Sequence, residues 1–208
     1  MDSTYAKQVG HDYWTVRFDR GLYGEYLTFC ELSHYEDDGA KFLFNLYLPT
    51  NNGHTTEIDM LMICRKGVFV IESKKLSGWI GGSENQAYWY QTLPARYGCE
   101  KHRFFNPIKQ NHAHIKALQS RFHQHLPTHS IIAFSDRCEF KQLQITNSNV
   151  SVIHRCQIAG KIAQYYLSES EDKISTLGIT NIYNRLYAFS QVDERIKQLH
   201  IAHIKQKG

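Results

Sequence analysis

Apolar residues first recur at helical spacing in DRGLYGEYLTFCELSHY (19–35). Leu22, Tyr26, Phe29 and Leu32 or Ser33 form one stripe behind Asp19, a residue suited to an N-cap. EDDG (36–39) ends this pattern, and strand-like segments follow: KFLFNLYLP (41–49), TEIDMLMIC (56–64) and VFVIESKK (68–75). The last two flank a short RKG turn and form the clearest hairpin in the chain. GWIGG and AYWYQT read as further short strands around a glycine-rich stretch. A helix is expected over 106–126, with Asn106 as cap, Pro107 at the first helical position, and Ile108, Ile115, Leu118 and Phe122 as its apolar stripe. SIIAFSD (130–136) and NVSVIH (149–154) read as strands. Helices follow near 156–168 and 173–189, then a basic amphipathic stretch over 191–206. This order predicts an α/β domain with one mixed central sheet flanked by helices: a core over 1–155 and a C-terminal helical extension over 156–208.

Both faces of VFVIESKK begin apolar. Val68 and Val70 precede Glu72 and Lys74 on one face, and Phe69 and Ile71 precede Ser73 and Lys75 on the other. The segment therefore reads as a strand covered on both sides that opens to solvent at its end. A two-residue turn at Arg65-Lys66 sets Asp59 opposite Glu72, and one at Lys66-Gly67 sets it opposite Lys74. Either register brings Asp59, Glu72 and Lys74 onto one face, whereas a three-residue loop throws Asp59 to the other. Two ionised carboxylates on a largely apolar face cost on the order of several kcal/mol without compensation. A hard divalent cation supplies that compensation, and a neighbouring lysine can position water. A solvated strand end with a cross-strand Asp–Lys pair is the plainer reading of the same spacing. Glu25 lies on or beside the stripe of its helix, either at the edge of the buried face or aimed at the sheet. Gly21 and Gly24 would let that turn approach another backbone closely. Gln110 only flanks its stripe and by itself reads as a surface residue.

The chain has 208 residues and a formal charge of +4, a mildly basic balance suited to a polyanionic partner. Its five cysteines are odd in number, widely spaced and without a CxxC pair, which points to a reducing, cytoplasmic setting. No apolar run approaches the ~20 residues of a membrane span, and MDSTYAKQVGHDYW lacks the apolar centre of a signal peptide. The histidine pairs His112, His114 and His123, His125 do not agree on one metal site, because an HxH pair on a helix points its rings to different faces.

GLYGE (21–25), TEIDMLMICRKGVFVIESKKLSGWIGG (56–82), Trp89 and FFNPIKQNHAHIKAL (104–118) stand in order over about 100 residues. As a set they resemble the NERD (nuclease-related) domain, a branch of the PD-(D/E)xK nuclease superfamily. The resemblance implies a restriction-endonuclease-like core with a metal site at one end of the sheet. It assigns Glu25 to the helix glutamate, Asp59 to a metal-ligating aspartate, and Glu72 and Lys74 to the (D/E)xK pair. Gln110 begins a QxxxH-like motif ending at His114. It further implies Mg2+ or Mn2+ held by Asp59, Glu72, the Ser73 backbone carbonyl and Glu25, and DNA as the substrate of a metal-dependent, endonuclease-type deoxyribonuclease.

Lys75, Lys101, Arg103, Lys109 and Lys116 are then expected to neutralise the nucleic-acid backbone. Trp79, Trp89 and Tyr90 would stack unpaired bases unless, like many aromatics on short strands, they belong to the core. Homodimerisation through Val192, Ile196, Leu199 and Ile204, and a helicase or other partner protein supplied in trans, are the partner expectations. The alternative class is a nuclease-fold module that binds nucleic acid or a partner without cutting. Clustered carboxylates that repel phosphate speak against it.

Overall fold

The computed structural model describes residues 3–10, 13–168 and 170–207. Helices α1 (Thr4–Val9), α2 (Tyr13–Phe18) and α3 (Arg20–Leu32) open the chain. The first two carry too short an apolar pattern to be read beforehand. Asp19 caps α3 as expected, its Oδ1 accepting from the backbone N–H of Gly21 at 2.7 Å and of Leu22 at 3.0 Å.

Strands β1 (Lys41–Pro49), β2 (Thr55–Cys64) and β3 (Gly67–Lys74) follow as an antiparallel meander. β2 and β3 pair from Cys64 with Gly67 to Met60 with Ile71, so the turn is Arg65-Lys66. Gly67 serves a different purpose. Its φ is +135°, and a Cβ there would lie 2.7 Å from the Pro127 carbonyl oxygen, so only glycine fits where the next strand approaches.

The chain continues through β4 (Gly78–Ser83), β5 (Tyr88–Ala95), β6 (Gly98–Phe105), α4 (Pro107–Gln119), β7 (Thr128–Phe134), β8 (Cys138–Gln144) and β9 (Val150–His154). The first sheet has five strands in the order β1-β2-β3-β7-β9, with β7 parallel to β3 and β9 parallel to β7. The expectation of one central sheet is corrected. A second, four-stranded sheet has the order β6-β5-β4-β8. β6 and β8 escaped sequence reading because their outward faces are charged and their inward faces supply few apolar residues, chiefly Phe104, Phe140 and Leu143.

Two apolar layers sandwich the first sheet. Phe29 and Leu32 of α3 pack with Phe42, Phe44, Met60, Met62, Phe69 and Ile71 on one side. Ala117 and Leu118 of α4 pack with Leu43, Leu61, Ile63, Val68 and Val70 on the other. The remaining helices are α5 (Ile158–Ser168), α6 (Thr176–Tyr187) and α7 (Glu194–Lys207). Ile158 and Ile162 of α5 join the first layer, and Ile179, Ile182 and Leu186 of α6 join the second. α7 buries His200 while leaving Leu199 and Ile204 exposed. α4 is shorter than expected, because Gln119 folds back to donate to the Leu126 carbonyl at 2.8 Å and to accept from the Leu126 N–H at 3.0 Å.

The second sheet rests on the first through Ile80, Trp89, Ile108, Ile132 and Phe134. Gly82 makes room for this, since a Cβ there would fall 2.4 Å from the Trp89 ring. Among the described residues no helix is long and apolar enough to cross a membrane. All five cysteines are free thiols.

Candidate active site

The end of β3 lies between α3 and α4. Glu72 is only 2% exposed, yet it is followed by the half-buried Lys74 on the same face. Lys74 Nζ donates to Glu72 Oε1 at 2.6 Å and to Gln110 Oε1 of α4 at 3.0 Å. The other oxygen, Oε2, accepts from His114 Nε2 at 3.1 Å, one helical turn after Gln110. Because a carboxylate only accepts, Nε2 carries the proton, and Nδ1 meets the Thr56 hydroxyl at 2.7 Å. One face of α4 thus grips both residues of the ExK pair.

Asp59 approaches differently. Its Oδ2 accepts from the backbone N–H of Ser73 at 2.8 Å, so its carboxylate turns along the sheet toward the β3 backbone. A local irregularity makes this geometry. Leu43 and Leu46 share one core layer, as do Ile58 and Leu61 on the facing strand, while Phe44 and Met60 lie in the other. Residues three apart on a regular strand point to opposite faces. Asn45 and Asp59 are therefore surplus residues set opposite each other, and the register on either side of them is undisturbed. Asn45 takes φ +50°, the one left-handed non-glycine backbone among the described residues. Beyond this switch Thr56 reaches the α4 side, where it meets His114, and Glu57 projects toward Glu25.

On the α3 side, Glu25 Oε2 accepts from the Tyr5 hydroxyl at 3.3 Å. Tyr5 is fully buried, and its hydroxyl also bonds the Leu22 carbonyl at 3.0 Å. Gly24 admits the aliphatic stem of Lys75, which would lie 3.4 Å from an added Cβ. Its close approach is thus to a side chain rather than to another backbone. Glu57 accepts from the Tyr47 hydroxyl at 2.6 Å and faces His200 of α7 at 3.6 Å.

Charge is distributed unevenly over these carboxylates. Burial, the charge of Glu57 and that of Glu72 push Glu25 up to about 7, although the Tyr5 hydroxyl opposes the shift. Burial and the charges of Glu72 and Glu25 hold Asp59 well above the ordinary carboxylate range, despite Lys74 and the Ser73 N–H. Burial also acts to raise Glu72, but Lys74 and His114 overcome it and depress the group to about 2. Lys74 is raised: burial opposes its charge, and Glu72 and Asp59 outweigh that. Burial and mutual repulsion thus push two carboxyls toward protonation, beside a third that is held ionised. Among the described residues no three His, Cys, Asp or Glu side chains stand close enough to grip a metal ion unaided. The donors are nevertheless hard carboxylate oxygens whose repulsion a divalent cation relieves, so the residue set fits such an ion chemically.

Of the residues singled out from sequence, Asp59, Glu72, Ser73, Lys74 and Gln110 meet directly. Glu25 joins them through charge. Lys75 lies beside α3 with its ammonium 5.3 Å from the Tyr23 ring centroid. Lys109 and Lys116 are exposed on α4. Trp79, Lys101 and Arg103 belong instead to the second sheet, on its outer face, while Trp89 is fully buried. Sequence reading passed over Tyr5 and Glu57. Glu57 carried a signal, standing two residues before Asp59 on the same strand; Tyr5, in a short helix distant in sequence, carried none.

The family model described as "Nuclease-related domain" matches residues 20–135, which contain every group that meets at the end of β3. The chain belongs to the nuclease-related domain family. An uncharacterized protein of Bacillus anthracis is 30% identical to it over 188 residues, covering 90% of this chain and 85% of that one. Similarity to this relative thus extends beyond the nuclease-related domain into the C-terminal helices. No solved structure matches the chain.

Proposed function

We propose that this nuclease-related domain is a Mg2+- or Mn2+-dependent nuclease that hydrolyses phosphodiester bonds in DNA from a restriction-endonuclease-like core. The observation that carries this reading is the buried Glu72, bonded to Lys74 at a strand end where Asp59 also arrives. A fold gains little stability from such a group, because desolvating these charges offsets most of their attraction. Five strands with an antiparallel β1-β2-β3 meander and parallel β7 and β9 are consistent with the proposed core.

Asp59, Glu72, the Ser73 carbonyl and Glu25 are the residues that would hold the cation. When bound, it supplies positive charge to the scissile phosphate and acidity to water. The chain's own groups do the rest. Gln110 and Glu72 fix the Lys74 ammonium, so that it meets a water or a phosphate oxygen without losing side-chain freedom at that moment. Its raised pKa keeps it a cation, suited to stabilising charge that develops on phosphate rather than to removing a proton. His114 and Thr56 hold Glu72 from behind, and Tyr5 holds Glu25.

The test is incubation of supercoiled, linear and single-stranded DNA with the protein in Mg2+, Mn2+ or EDTA. Cutting with either metal and none in EDTA is the expected result. Binding of DNA without cutting under every metal condition would move the chain to the class of binding modules.

A further inference from the structure

The outer face of the second sheet carries a pattern that the site at β3 does not use. The row Trp79, Thr92, Lys101 crosses β4, β5 and β6, and the next row is Gly81, Tyr90, Arg103. Trp79 is 41% exposed and Tyr90 39%, with Tyr88 similarly exposed beyond them. Each ring stands against a cation: Lys101 lies 4.2 Å from the Tyr90 centroid, Arg103 4.9 Å from Tyr88, and Lys141 of β8 5.8 Å from Trp79. Gly81 leaves the middle of this face without a side chain, as the floor of an open groove. Glu139 also lies on it, but its charge is held by Lys141 at 2.6 Å.

We propose that this face is a platform for an unpaired nucleic-acid strand, on which bases stack against Trp79 and Tyr90 while Lys101 and Arg103 meet the phosphates. The choice of nucleic acid as the polyanion rests on the nuclease reading; the alternation of rings and cations comes from the sheet itself. Exposed rings lying on a sheet offer flat π surfaces, which an unpaired base can cover and a closed duplex cannot. The cations beside them would neutralise a charged backbone, which an apolar partner does not supply.

Position supports the same occupant. Trp79 follows Lys74 by five residues, so at most about 18 Å of chain separates the platform from the reactive strand. The link is stiff: Gln91 Nε2 donates to the Ser77 carbonyl at 2.8 Å, and a Cβ at Gly78 would lie 2.4 Å from the Thr92 carbonyl oxygen. A strand seated on the sheet is thereby delivered at a fixed distance from Glu72 and Lys74.

The experiment is fluorescence anisotropy in EDTA with labelled oligothymidylate, oligouridylate and duplex DNA of about twelve nucleotides, within the ~4–16 that small single-strand platforms cover. The proposal expects the unpaired strands to bind more tightly than the duplex, and the two strand chemistries identify which sugar is preferred. Tyr90→Ala should weaken binding about tenfold and Tyr90→Phe should restore it, because the ring and not the hydroxyl does the stacking. Combined Lys101→Ala and Arg103→Ala should lower the salt dependence as well as the affinity. Preference for duplex, indifference to both sets of platform substitutions, or binding of an acidic peptide with equal affinity would overturn the proposal. Loss of metal-dependent cutting with single-strand binding retained would defeat the nuclease reading alone.

Discussion

Glu25 and Glu72 show how neighbours decide the behaviour of one side-chain type. Glu72 lies among donors and is depressed to about 2; Glu25 lies among other carboxylates and rises to about 7. The two act on stability with opposite signs. The Glu72 contribution is present above its unfolded value of about 4.5 and is lost as pH falls toward 2. The Glu25 contribution is full below about 4.5 and is lost as pH rises through about 7, because folding takes up a proton there. Glu25→Gln should therefore raise the thermal midpoint at pH 8 by several degrees, on the order of 2 kcal/mol, and change it little at pH 5. Equal shifts at both pH values would contradict the assignment. Occupation by a cation displaces the same protons, so Mn2+ should raise the midpoint of the native chain more at pH 8 than at pH 6, and Glu25→Gln should diminish that difference. A scan of unfolding temperature against pH, with and without Mn2+, reads both.

At the scale of elements, the hairpin and the two helices that flank it were legible because their signals are local. Asp19 and Asn106 sit where caps are needed, and Cys64 pairs with Gly67 around one of the two short turns considered. The same parity reasoning placed Asp59 on one face with Glu72 and Lys74. It could not see the surplus residues at Asn45 and Asp59, because a paired face switch leaves both the register and the apolar count unchanged. That switch is what turns the Asp59 carboxylate to the Ser73 N–H and sends Glu57 toward α3. Asn45 tolerates its φ of +50° far better than a β-branched residue would. Asn45→Val should cost about 1–2 kcal/mol in urea unfolding, and Asn45→Gly should be nearly neutral. A neutral Asn45→Val would remove the switch from the account. β6 and β8 were illegible for the converse reason. Their outer faces carry mainly charged side chains and, in β8, glutamines, so alternation never stands out from loop composition.

Over the whole molecule, two sheets share one interior at Ile80, Trp89, Ile132 and Phe134. Gly82→Ala pushes a methyl group into the Trp89 ring and should destabilise the protein by about 1–3 kcal/mol while leaving a single unfolding transition. Two separate transitions in calorimetry would mean that the second sheet is an independent unit. The C-terminal helices join both sides of the first sheet, and His200 of α7 reaches Thr55 at 3.1 Å, just ahead of Glu57 and Asp59. The end of β3 is thus held by α4 on one face and by α3 on the other, with residues from most of the chain behind it. Under the proposed function this assembly places Lys74 and two carboxylates around a phosphate. The most direct test of that placement is Mg2+-dependent cleavage of supercoiled DNA by the native chain beside Asp59→Ala and Lys74→Ala, each shown to unfold at a comparable temperature. The account predicts cutting by the native chain and a loss of at least about 100-fold in both variants. Undiminished cutting by folded Lys74→Ala would contradict it.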